Sequence, residues 1–221
     1  MKLLGSIQSA GTIRNMTITL HERDLPAGLN FGSAVAIDTE TLGLNPHRDR
    51  LCLVQLSAGD GNAHLIRIPL DRAGALQAPR LKALLADSAV VKIFHFGRFD
   101  MAVLYHRLDV MAAPVFCTKI ASKLARTYTD RHGLKDLSKE LVGVDLSKEQ
   151  QSSDWGADKL TPEQQSYAAA DVLYLHRIKA VLEAMLHREQ RTELAQACFD
   201  FLPTRVRLDL AGWPEADLFA H

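Results

Sequence analysis

Apolar and polar positions along the chain mark out a succession of short elements. Residues 16–20 alternate polar and apolar and predict a short strand. A turn-rich link from Asp24 to Gly28 leads to Ala34, Val35, Ala36 and Ile37. This partly β-branched run predicts a buried strand that continues through Asp38, Thr39, Glu40 and Thr41, until Gly43 and Pro46 end it. The run from Leu51 to Ser57 predicts a second strand, and a Gly-Asp-Gly-Asn connection joins it to a third from His64 to Ile68, as in a meander of antiparallel hairpins. Pro79 opens a helix through Leu85, and the apolar run from Ala89 to Phe94 predicts another buried strand. The stretch from His95 to Asp100 enters a helical pattern through Leu104 and Leu108, with Phe96 and Phe99 assigned to the core. Val115 to Cys117 predicts a short strand, Thr118 is placed to cap a helix beginning at Lys119, and Gly133 to Leu141 predicts a further helix. Asp145 to Gly156 is polar and loop-like. Thr161, Pro162 and Gln164 form a capping-box start for a helix expected to continue to about Leu186, and a last helical stretch runs from Arg191 to Phe199. Alternation of strands and helices in the later part argues for parallel pairing there.

A chain of 221 residues that is 47% hydrophobic suits one α/β domain with a substantial core. Residues 16–199 are assigned to that domain, residues 1–15 to an extension or disordered tail, and residues 200–221 to a C-terminal segment. The segment carries Leu208, Leu210, Trp213, Leu218 and Phe219, too many apolar residues for a solvated tail, so it is expected to dock on the core or in a neighbouring subunit. Basic and acidic residues number 26 each. That balance disfavours a protein gripping long nucleic acid and leaves short or locally held substrates open. The cysteines, Cys52, Cys117 and Cys198, lack metal-site spacing and are expected as buried thiols in a reducing compartment. No apolar run approaches the roughly 18 residues needed to span a membrane.

Three short patterns carry candidate chemistry. Asp38 and Glu40 project from one face of their strand, because side chains alternate. Two acids so placed repel each other and lose hydration unless a cation lies between them, and oxygen-only ligands select a hard ion, Mg²⁺ or Mn²⁺. Solvent-exposed acids at a strand end are the alternative. His95 and Asp100 flank the point where a strand gives way to a helix, a frequent place for chemistry in α/β sheets. A hydrogen-bonded structural histidine and a first-turn helix acid would account for each alone. Tyr167 and Asp171 lie four apart on one helix face, where a core tyrosine and an incidental acid would also fit.

Taken in order, D-x-E at a strand end, H-x-x-x-x-D entering a helix and Y-x-x-x-D in a late helix resemble the DEDD superfamily of 3′–5′ exonucleases, in the tyrosine-containing branch that includes ribonuclease D. The stretch from Ala36 to Leu51, with that from Cys198 to Pro203 and the tail through Trp213, is similar to the compact nano-RNase C group of that branch. The resemblance implies a ribonuclease H-like fold with a mixed sheet, first strands antiparallel, flanked by helices. It implies two divalent cations, one held by Asp38, Glu40 and Asp171 and a second between Asp38 and Asp100, with Tyr167 orienting the attacking water. It further implies Leu42 as an apolar wedge between bases, backbone near Thr41 at the 3′-hydroxyl, and His95 at the terminal nucleotide. Lys148, Ser152 and Ser153 are loop candidates for the 5′ phosphate. The resemblance implies a cytoplasmic enzyme whose substrate is short RNA, a dinucleotide, cleaved to nucleoside 5′-monophosphates by a ring of eight subunits, with no membrane partner. Two other readings stay open: a general 3′–5′ exonuclease on longer RNA or DNA, and a non-catalytic nucleic-acid-binding module. All five acid and tyrosine positions are filled with the right residue types, which argues against the module.

Overall fold

The computed structural model describes residues 17–70, 77–147, 149–216, 218 and 220. The expected extension at 1–15, Met16, Lys148 and Phe219 lie outside the described residues.

Six strands form one mixed sheet in the order β1-β4-β3-β2-β5-β6. They are β1 (Thr17–Glu22), β2 (Ala34–Thr41), β3 (Leu51–Ser57), β4 (Asn62–Arg67), β5 (Val91–Phe94) and β6 (Val115–Cys117). The expected antiparallel meander covers β2, β3 and β4. It does not extend to β1, which pairs parallel with β4. The segment between β1 and β2 carries the chain past two strands, so the first strand is laid down at the far edge rather than as the arm of a hairpin. β2/β5 and β5/β6 are parallel, as the strand–helix alternation predicts. Every residue of β3 is buried.

The helices are α1 (Pro79–Ala86), α2 (Gly97–Leu108), α3 (Thr118–Ala125), α4 (Leu134–Leu137), α5 (Pro162–Leu173), α6 (Leu175–Arg188) and α7 (Thr192–Leu210). A π-helical turn, Ser138–Val142, prolongs α4. α5 lies across β2, β3 and β4, whereas α2 packs on β2, β3 and β5 and is itself covered by α7. Among the described residues no helix is long and apolar enough to cross a membrane.

Four expectations change. The single helix expected to Leu186 is two, separated at Tyr174, which keeps a right-handed conformation (φ −105°, ψ −6°) but departs from regular helix values and caps both helices. The break is silent in the pattern because the buried positions Ala168, Val172, Leu175, Ile178 and Leu182 stay in helical phase across it. The last helix does not stop at Phe199 but runs through Pro203 to Leu210. An internal proline costs about 3 kcal/mol, but Leu202 and Val206 extend the buried stripe of Ala195 and Phe199, and burying each contributes about 1.5–3 kcal/mol. Thr118 is the first residue of α3 rather than its cap, and its hydroxyl donates to the Phe94 carbonyl. Phe96, assigned to the core, is 45% exposed in a left-handed conformation (φ 66°), with the Lys119 ammonium 4.2 Å from its ring centre.

Among the described residues two basic side chains are fully buried. Lys92, on β5, donates from Nζ to the carbonyls of Asp87, Val90 and Ala113 at 2.5, 2.8 and 2.6 Å. Arg126 donates to Ser122 Oγ, the Arg131 carbonyl and the Glu140 carboxylate.

Candidate active site

The acidic end of β2 meets α5 over the centre of the sheet. Strand alternation points Asp38 and Glu40 the same way, and the capping box at Thr161 (its hydroxyl accepting from Gln164 N–H, the Gln164 side chain accepting from Thr161 N–H) fixes where α5 begins. One ligand oxygen from each of Asp38, Glu40 and Asp171 lies within 4.8 Å of the others. Asp100 stands beside this trio rather than in it. It enters on the first turn of α2, is 4% exposed, and accepts the Thr39 hydroxyl at 2.6 Å. α2 can start hard against β5 because of Gly97, where a Cβ would sit 2.8 Å from Cβ of Phe94.

The four carboxyl groups are electrostatically destabilised together. Burial, and then repulsion by Asp100, Asp171 and Glu40, pushes Asp38 well above the usual carboxylate range. Burial and the charges of Asp171 and Asp100 push Glu40 up to about 9. Asp171 rises to about 7 through burial and Asp100, and Asp100 to about 7 through burial, with the Thr39 hydroxyl pulling the other way. Burial and the same acids also raise the Tyr167 phenol. The described residues place no lysine or arginine in ion-pair contact with any of the four acids. Partly buried carboxylates that repel one another, with only oxygen donors, fit a hard divalent cation.

Three neighbours escape the sequence pattern. Gln55, paired with Asp38 across β2 and β3, points Nε2 at both Asp38 Oδ2 and Glu40 Oε1, each at 3.4 Å. A glutamine inside an otherwise apolar strand is the signal that could have found it. Thr39 holds Asp100 from within the D-x-E motif. Trp155, 3% exposed, places its ring 6.0 Å from that of Tyr167, so the phenol rests on an indole drawn from the polar loop.

The remaining candidates are spread around this centre. Leu42 is 51% exposed just past β2, and Thr41 directs its hydroxyl to the Gly43 carbonyl. His95 Nδ1 pairs with the Thr118 hydroxyl at 2.9 Å, and burial and Lys119 lower its pKa to about 3, so the ring is neutral. Because Thr118 donates to Phe94, it accepts from His95, which fixes the histidine tautomer. Ser152 is exposed, while the Ser153 hydroxyl is taken by Gln150 Oε1.

A mixed sheet that draws carboxylates from its central strand and two helices to one point defines a nuclease-type metal centre. Residues 17–187 match the 3′–5′ exonuclease family, and the chain belongs to it. Within that family it is similar to ribonuclease D of Acidiphilium cryptum, 35% identical over 159 residues, which are 72% of this chain and 39% of that one. The chain thus spans about two fifths of the ribonuclease D chain it matches. Among solved structures it resembles NrnC, the nano-RNase C of Brucella melitensis, bound to pGG (62% identity, TM-score 0.89, covering 94% of this chain and all of that one) and with bound Mg²⁺ (62%, 0.88, 93% and all). It also resembles Escherichia coli RNase D, an exoribonuclease involved in structured RNA processing (28%, TM-score 0.71, 83% of this chain and 48% of that one).

Proposed function

We propose that this chain is a metal-dependent 3′–5′ exoribonuclease that hydrolyses short RNA, chiefly dinucleotides, to nucleoside 5′-monophosphates. The observation that carries the reading is the convergence of Asp38, Glu40 and Asp171 within 4.8 Å, with Asp100 and Tyr167 alongside. The substrate class is supported by the similarity to the Brucella structure holding pGG.

In this reading Asp38, Glu40 and Asp171 hold one divalent cation, and Asp38 with Asp100 holds a second, Mg²⁺ or Mn²⁺. When bound, the cations stabilise charge on the phosphate oxygens and lower the pKa of water. The protein's own part is positional. Thr39 and Gln55 fix the carboxylates, and Tyr167, its phenol raised by burial and by the acids around it, orients water by hydrogen bonding. Leu42 wedges between the last two bases, backbone at Thr41 meets the 3′-hydroxyl, and neutral His95 contacts the terminal nucleotide. Lys148, Ser152 and Ser153 are assigned to the 5′ phosphate. The three free cysteines suit the cytoplasm. The exposed Leu44, Phe201, Trp213 and Leu218 suit a homo-oligomer, which we take to be an octamer.

Turnover measured from a 5′-phosphorylated dinucleotide up to an RNA of roughly twenty nucleotides tests the substrate class. A clear preference for the dinucleotide is expected, and equal or faster cleavage of the long RNA refutes it. Similarity to Escherichia coli RNase D favours a second reading, a general exonuclease on longer RNA or DNA. That reading predicts steep loss of activity with salt, because many phosphate contacts release many counterions.

A further inference from the structure

We infer that Gly156 positions the Leu42 side chain, so that a turn tied to α5, rather than the strand that Leu42 follows, sets how the wedge stands between the bases. The inference rests on the reading of Leu42 as the base-contacting residue. Leu42 follows the last residue of β2 and is held there by its backbone, which donates to the Arg50 carbonyl at 3.0 Å. Its side chain, half exposed, projects beyond the core. The turn supplies a wall. A Cβ at Gly156 would lie 3.1 and 3.3 Å from the two Leu42 methyl groups. Such a separation is tighter than ordinary van der Waals contact, so the methyls rest against the bare Cα face.

Gly156 is not among the described glycines with positive φ, so no left-handed φ stands against a side chain there. What a side chain there would disturb is Leu42 and the Asp154 carboxylate, the latter at 3.3 Å. The turn itself is anchored. Gly156 N–H donates to Asp154 Oδ1 at 2.9 Å, and the Gln164 side chain of α5 donates to the Asp154 carbonyl at 3.1 Å. Between them Trp155 is buried against Tyr167. The wall behind Leu42 and the helix bearing Tyr167 and Asp171 therefore form one unit, and the base contact is referenced to the reacting groups through that unit.

The test is a cycle of Gly156→Ala and Leu42→Ala, assayed on a 5′-phosphorylated dinucleotide with saturating Mg²⁺. Because Leu42 is exposed it can swing aside, so Gly156→Ala leaves the melting temperature and the half-saturating Mg²⁺ concentration unchanged. KM rises about ten-fold while kcat stays within about two-fold, the signature of a displaced ground-state contact. In the Leu42→Ala background the same change has no further effect, since the group it acts through is gone. An unchanged KM in Gly156→Ala, or the same rise with Leu42 absent, overturns the inference while leaving the base-contact reading intact. An unchanged KM in Leu42→Ala alone overturns that reading and the inference with it. If Gly156→Ala lowers the melting temperature, adding Leu42→Val shortens the side chain, and KM must then return to that of Leu42→Val alone for the inference to stand.

Discussion

A fully buried lysine and a partly buried acid cluster sit at neighbouring strands and are treated in opposite ways. Lys92 on β5 pairs in register with Val35 of β2, and its ammonium is enclosed by three carbonyls that use all of its donors. Three residues further along β2, Asp38 opens a group of four carboxyl groups whose pKa values are raised by desolvation and, for Asp38, Glu40 and Asp171, by neighbouring acids, and which have no basic partner among the described residues. A buried charge satisfied from within the fold holds structure together. A buried charge cluster left repulsive is stable only with something the polypeptide does not supply. The contrast separates a structural ion from a binding centre without reference to any relative.

The comparison breaks most visibly at Asp38. Asp38→Asn, or chelation of the metal, should lower kcat by about three orders of magnitude or more. Without metal the same variant should melt at or above the wild-type temperature, because a repulsive charge is gone. A marked loss of thermal stability would make Asp38 structural instead. Tyr167→Phe keeps the ring on Trp155 and loses only the hydroxyl, so kcat should fall about 10–100-fold with KM little changed in steady-state assays. Gln55→Leu removes the donor facing both Asp38 and Glu40, and should raise the half-saturating Mg²⁺ concentration about ten-fold in a metal titration.

The sign of the pH dependence separates the two regions further. Asp100 and Asp171 near 7 and Glu40 near 9 lie above their unfolded values, so the folded state binds more protons than the unfolded chain between about pH 4 and those values. Stability of the metal-free protein should therefore fall as pH rises through that window, and saturating Mg²⁺ should restore it. Melting curves from pH 5 to 8 with and without metal check this; a metal-free protein that gains stability over that range would contradict the cluster electrostatics. The smallest expected change belongs to the satisfied charge. Lys92→Met leaves carbonyls without donors and should cost about 1–3 kcal/mol of stability, read as a lower melting temperature with kcat unaltered at saturating metal.

The positions of the acids and the tyrosine were legible in the sequence, because each motif sits at a boundary that local signals mark: Gly43 after β2, Gly97 at the start of α2, and the capping box before α5. It carried their supports poorly. Gln55 matters only through the residue opposite it on another strand, and Trp155 only because a polar loop folds beneath α5. Such partnerships are set by register and tertiary packing, which no single segment encodes. The pairing of β1 was lost for the same reason. The length of α7 was lost because a proline outweighed the buried stripe in the local reading.

α7 reaches further into the chemistry than its place in the chain suggests. Its Asp209 accepts a two-pronged hydrogen bond from Arg98 at 2.5 and 2.9 Å, and Arg98 stands two residues before Asp100 on the opening turn of α2. The family match ends at residue 187, short of that aspartate. A protein trimmed to the matched region would keep every acid of the centre and still lose the clasp on the helix that delivers one of them.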